Sequence, residues 1–135
     1  EYNHDEIGFN YRMPNLNAAL GWAQLENLPK LLASKRNLFE SYQRAFKDLE
    51  HVLFFREPEG CQSNYWLHTL LLDKKVTKFR DEALEDTNNA GIITRPAWRL
   101  LHKLKPYENN PRMIFTDVEC LEKRIINISS SKWVE

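Results

Sequence analysis

Gly8-Phe9-Asn10-Tyr11-Arg12-Met13-Pro14-Asn15 crowds an amide, a phenol and a guanidinium into an irregular stretch just ahead of an apolar-periodic segment. A loop of this kind offers donors beside a helix N-terminus, where unpaired N–H groups and the helix dipole favour negative charge. The Asn10 amide and the Arg12 guanidinium are therefore suited to an anion. The same residues also fit an ordinary loop before a helix, with Arg12 solvated.

Other chemistry is thinly represented. The four histidines, His4, His51, His68 and His102, include no pair at a metal-ligand spacing. His68 lies in an apolar run and, on the two-residue alternation of a strand, shares a face with Trp66 and Leu70, a wall position. Cys61 and Cys120 are 59 positions apart with no CxxC spacing, which predicts two free, buried thiols rather than a disulfide or zinc site. No serine sits in a GxSxG elbow, and four glycines supply no phosphate-cradling loop.

The elements that must position these residues follow from periodicity. Leu16, Ala19, Leu20 and Ala23 mark a helix that Pro14 precedes and Asn15 can cap. Pro29 is expected to break it and open a second helix carrying Leu38, Phe39, Tyr42 and Phe46. Strands are predicted over 52–55, over 64–72 and at Ile92-Ile93-Thr94, with a helix over 76–89 that stops before Gly91. Residues 96–112 read as irregular or briefly helical. Thr116 with Glu119 forms a capping-box pattern for a helix over about 117–125, and Ile126-Asn127-Ile128 is a last strand. Helices and strands in this order predict a small α+β domain with a few-stranded, mainly antiparallel sheet.

Composition bounds the function. Apolar residues make up 42% of the 135, enough for a core, and 19 basic residues balance 19 acidic ones. The charge balance gives no footprint for a nucleic-acid or membrane-surface partner and permits self-association. The polar first six residues do not resemble a signal peptide, and no apolar run is long enough to span a membrane, so a cytoplasmic setting is expected.

The run from Gly8 to Gly21, followed by Ala23-Gln24-Leu25-Glu26, closely resembles the segment after the large domain in the DegT/DnrJ/EryC1/StrS aminotransferases. Ser63-Asn64-Tyr65-Trp66-Leu67, Gly91-Ile92-Ile93-Thr94-Arg95-Pro96-Ala97-Trp98 and Pro106-Tyr107 resemble later stretches of the same family in the same order. The branch that makes 4-amino sugars of the bacillosamine or legionaminic type is the most similar. Ile128-Ser129-Ser130 departs from the Leu-Pro-Ser-Ser with which the family closes.

The resemblance implies a fold-type I enzyme using pyridoxal phosphate, of which residues 1–135 form the C-terminal small domain with its leading interface loop and helix. The catalytic lysine, the aspartate facing the pyridine nitrogen and the phosphate-binding serines are expected upstream, in a large domain outside this sequence. No catalytic residue and no bound cofactor are therefore expected here. Asn10 is implied to reach the cofactor phosphate of the other subunit of a homodimer. Tyr11, Arg12, Arg95, Trp98 and His102 are implied to shape the nucleotide-sugar entrance, with a solvated Arg95 and an interior Trp98 as the plainer alternatives. A non-catalytic interaction module with the same fold is the alternative function.

Overall fold

The computed structural model of the protein describes residues 3–131, so both ends of the expected 1–135 domain lie outside the described residues. A single long helix, α1 (Asn15–Phe46), opens the structure and contains Pro29. Proline keeps a helix-compatible φ and removes one hydrogen bond, here to the Leu25 carbonyl. The helix is solvent-exposed around Pro29, so water can take that carbonyl, and the expected break into two helices does not occur. Asn15 is the first helical residue and makes no cap; Pro14 holds the cap position with extended backbone.

Four strands follow: β1 (Val52–Phe54), β2 (His68–Leu72), β3 (Arg95–Pro96) and β4 (Ile125–Ile128). They form one sheet in the order β1-β2-β4-β3, antiparallel at every pairing. Leu70 sits opposite Ile126 and His68 opposite Ile128. Alternation then puts His68, Leu70, Leu72, Ile126 and Ile128 on one buried face. On the other face Thr69 bonds Asn127 at 2.9 Å.

The C-terminal half of α1 covers the apolar face. Phe39 stacks on Tyr65 at 4.2 Å and meets Phe54 at 5.0 Å, while Tyr42 and Phe46 pack beside them. Arg36 pins the following loop to the helix: it pairs with Glu57 at 3.0 Å and donates to the Ser63 carbonyl at 2.6 Å. That guanidinium, with the Ser63 N–H, holds the Glu57 carboxyl below its ordinary value. Lys35 donates to the carbonyl and hydroxyl of Ser130, at 2.7 and 3.0 Å, and fastens the end of β4. In contrast, residues 3–31 are exposed almost throughout, so the first half of α1 is an arm with no cover from its own chain.

Three expected strands are shorter or displaced. Phe55 lies just past β1. Residues 64–67 stay outside β2 because Tyr65 is buried in a left-handed backbone (φ 47°), with Ser63 and Asn64 side chains accepting from Tyr65 and Trp66 N–H. Trp66 is consequently exposed and does not share the buried face of His68. Residues 92–94 do not pair, because Asn88 Nδ2 takes the Thr94 carbonyl at 3.0 Å and Thr87 takes its hydroxyl at 2.6 Å. That stitch moves the strand to Arg95 and Pro96, where a proline is tolerated on a sheet edge.

The remaining helices are α2 (Arg80–Asn89), entered through a tight turn at Lys74–Phe79, and α3 (Thr116–Glu122). Gly91, at φ 81°, ends α2 as expected: its N–H bonds Asn88 and the Ile92 N–H bonds Thr87, the paired closure of a Schellman motif. The capping box at α3 does not form. Thr116 is already helical, Phe115 occupies the cap position, and Glu119 turns to His102 instead. The thiols are free, but Cys61 is exposed and Cys120 half-buried, contrary to the burial expected.

Candidate functional site

The N-terminal loop places Asn10, Tyr11 and Arg12 side by side on an exposed turn. The Arg12 N–H donates to Asn10 Oδ1 over 3.1 Å, with Arg12 in left-handed backbone (φ 82°). An N–H must be accepted by the amide oxygen, so the turn fixes which end of Asn10 is which and leaves Nδ2 as a donor it does not use. Tyr11 is 88% exposed. Three residues after Arg12 the chain enters α1, whose first turn carries no acidic residue.

Arg95 and Trp98 come together in a cleft of about 700 Å³ between β3 and the end of α3. Arg80, Arg99, Lys103 and Lys123 share its lining with one carboxylate, Glu122. Burial pushes the Glu122 carboxyl up, but the Lys103 ammonium, the Leu100 N–H and nearby Arg80 outweigh it and hold it below the usual range. Arg80 is also occupied, donating to the Glu122 carbonyl at 3.0 Å and pairing with Asp81 at 2.6 Å. Trp98 is exposed and meets Trp66 edge-on at 5.9 Å, so the plainer expectation of an interior indole fails. Arg99 reaches Asn3 at 3.4 Å and thereby joins the N-terminal segment to this cleft.

His102 does not share the cleft. It lines a separate, smaller cavity of about 420 Å³ with Leu101, Tyr107 and Arg112. Its Nε2 lies 3.0 Å from Glu119, and its ring stacks on Phe115 at 5.1 Å. Arg80, Arg99, Lys123 and Glu119 carried no signal in the sequence as site residues, because they are scattered over 43 positions (80 to 123) and only folding gathers them.

His68 is in the core. It is 1% exposed, ringed by Phe39, Tyr42, Phe54 and Tyr65, and neither ring nitrogen has a partner among the described residues. Desolvation, helped by the charge of Lys35, pulls its pKa down to about 4, so the ring is neutral at ordinary pH. The described residues contain no group of three or more His, Cys, Asp or Glu placed to hold a metal. No helix among them is long and apolar enough to cross a membrane.

Comparison with known proteins agrees with this architecture. The profile of the DegT/DnrJ/EryC1/StrS aminotransferase family matches residues 1–132. The chain is 36% identical to GDP-perosamine synthase of Vibrio cholerae over 80% of its own length and 29% of that protein's. To GDP-perosamine synthase of Caulobacter vibrioides it is 31% identical, over 75% of this chain and 28% of that one. In structure it is similar to Helicobacter pylori PseC, an aminotransferase involved in the biosynthesis of pseudoaminic acid. The TM-score is 0.78 at 22% identity, covering 92% of this chain and 34% of PseC. The chain thus spans about a third or less of the relatives it matches. On a profile match that runs almost end to end, the chain belongs to the DegT/DnrJ/EryC1/StrS aminotransferase family.

Proposed function

We propose that this chain is the C-terminal portion of a pyridoxal phosphate-dependent aminotransferase that moves an amino group from an amino acid to a keto sugar carried on a nucleotide. The family match over residues 1–132 carries the reading. Pyridoxal phosphate, when bound, supplies the carbonyl and the electron sink for moving the amino group. The chain's own residues fit one end of that group. Asn10 Nδ2, oriented by the Arg12 turn and set just ahead of a helix N-terminus, suits a phosphate oxygen of the cofactor in the partner subunit.

The lysines with a described anchor are engaged elsewhere, Lys35 by Ser130 and Lys103 by Glu122. By the resemblance to the family, the catalytic lysine is assigned to a preceding large domain. In the proposed homodimer Tyr11, Arg12, Arg95 and Trp98 shape the entrance for the nucleotide sugar, and His102, paired with Glu119, lines the neighbouring cavity. Balanced charge gives no pull toward nucleic acid or anionic membrane, in keeping with a cytoplasmic enzyme.

Cofactor absorbance separates this reading from a non-catalytic module. The full-length protein reconstituted with pyridoxal phosphate is expected to show a protein-bound cofactor band that an amino-acid donor shifts. A full-length protein that shows no such band under any reconstitution would be an interaction module.

A further inference from the structure

Tyr65 is a bulky residue held in left-handed backbone (φ 47°) and buried to 5% exposure. Side chains larger than glycine resist that conformation, so it persists only where the surroundings impose it. Ser63 Oγ accepts from the Tyr65 N–H at 3.0 Å, and Asn64 Oδ1 accepts from the Trp66 N–H at 2.9 Å. Glu57 accepts from the Ser63 N–H. Arg36 donates to both Glu57 and the Ser63 carbonyl while lying over the Tyr65 ring, 5.3 Å from its centroid. Phe39 of α1 stacks on the same ring.

The turn decides where the next side chain goes. On the alternation of β2, residue 66 would share the buried face of His68 and Leu70. Instead Trp66 stands at the surface, 58% exposed, with its ring edge-on to Trp98: the centroids are 5.9 Å apart and the planes cross at 61°. The pair bridges the entry to β2 and the exit from β3, two strands that β4 separates in the sheet. Trp98 lines the cleft between β3 and the end of α3, whereas Trp66 touches Trp98 without lining it. An exposed indole otherwise samples several rotamers, and an edge-to-face contact favours one of them. Packing of the core accounts for Tyr65 but not for a tryptophan set on the surface against another.

We propose that the strained turn at Tyr65 is a positioning device: it sets Trp66 against Trp98, which fixes the Trp98 indole at the cleft wall before a ligand arrives. Trp66 is then a positioning residue that acts through Trp98 and not by touching the ligand. The proposal rests on the functional reading above, in which Trp98 shapes the entrance for the nucleotide sugar. A wall residue ordered in advance spares the ligand the cost of ordering it, so the gain falls on binding and leaves the chemical step alone.

Two indoles in edge contact couple their electronic transitions, so far-ultraviolet circular dichroism of the full-length protein tests the placement without substrate. Trp66→Phe and Trp98→Phe are each expected to remove the same couplet, giving matching difference spectra. Ser63→Ala with Asn64→Ala, which leaves Tyr65 in place, should weaken the couplet in a folded protein. Asn64→Ala alone, at an exposed position, serves if the double variant does not fold. In steady-state amino transfer Trp66→Ala should raise KM for the nucleotide sugar about twofold to tenfold, the worth of one aromatic pair, with kcat unchanged. Trp66→Phe, which keeps a ring edge, should restore KM, and Trp66→Ala should add nothing to Trp98→Ala. Absent or unmatched difference spectra overturn the placement, and a couplet untouched in the turn variants overturns the role of the turn. A native KM in Trp66→Ala, or an effect that adds to that of Trp98→Ala, overturns the role of Trp66. If the native protein transfers no amino group, the functional reading falls, and the spectra still decide the turn.

Discussion

The Arg12 N–H and the Asn10 side-chain oxygen lie 3.1 Å apart, closing a two-residue turn that aims the Asn10 amide nitrogen outward. This predicts that two substitutions at Asn10 differ in kind. In the full-length protein, Asn10→Ala removes one donor to a charged phosphate, worth roughly 1.5–3 kcal/mol, or about tenfold to hundredfold in cofactor retention. Asn10→Asp keeps the acceptor for Arg12 but sets a carboxylate against the phosphate, so it should retain cofactor less well than Asn10→Ala. Equilibrium dialysis of the cofactor measures both, and native retention in Asn10→Asp would show that the amide does not meet a phosphate.

His68 gives the chain an acid limit. Its pKa is about 4 in the fold against an ordinary 6.5, so between those values the unfolded chain takes a proton that the folded chain refuses. Stability is therefore full above about pH 6.5 and falls as the pH drops toward 4, by up to about 3 kcal/mol. His68→Leu should flatten this dependence and raise stability at pH 5. Urea unfolding at pH 5 and pH 7 is the measurement, and an equal pH slope in both proteins would contradict the assignment.

Much of the fold was legible because it is local. The spacing of Phe39, Tyr42 and Phe46, the Ile126–Ile128 alternation and the Gly91 stop each depend on neighbours in sequence. The errors arose where distant partners decide. Glu119 fits a capping box until His102 arrives from 17 positions away, and Ile92–Thr94 fits a strand until Asn88 captures the Thr94 carbonyl. Pro29 misled for another reason, since an exposed helix turn can leave a carbonyl to water. Arg80, Arg99 and Lys123 have no local motif to single them out, whereas Arg95 and Trp98 stand out only through the resemblance to the family's sequence pattern.

The exposed arm should drive association. Leu16, Leu20, Trp22, Leu25 and Leu28 are all solvent-exposed, and at 100° per residue they surround the helix rather than forming one stripe. Apolar surface of this extent marks an interface or an aggregation liability. Sedimentation of the 135-residue chain at micromolar concentration should show dimers or larger species, which Leu20→Glu with Trp22→Glu disperses. A native chain that sediments as a monomer would remove the arm as an interface.

The chain by itself should not hold pyridoxal phosphate covalently at one position, because its catalytic lysine is assigned to another domain. Borohydride reduction of a mixture with the cofactor, followed by peptide mapping, is expected to find only sparse labelling spread over several lysines. One stoichiometrically labelled lysine would place the reactive amine within these residues.

Amino transfer by the full-length protein tests the proposed function at its centre. It would be incubated with pyridoxal phosphate, a nitrogen-labelled amino acid and a nucleotide-linked keto sugar, and the sugar product analysed by mass spectrometry. The label is expected on the sugar, and only when the cofactor is present. A folded, cofactor-loaded protein that leaves every nucleotide-linked keto sugar unlabelled would contradict it.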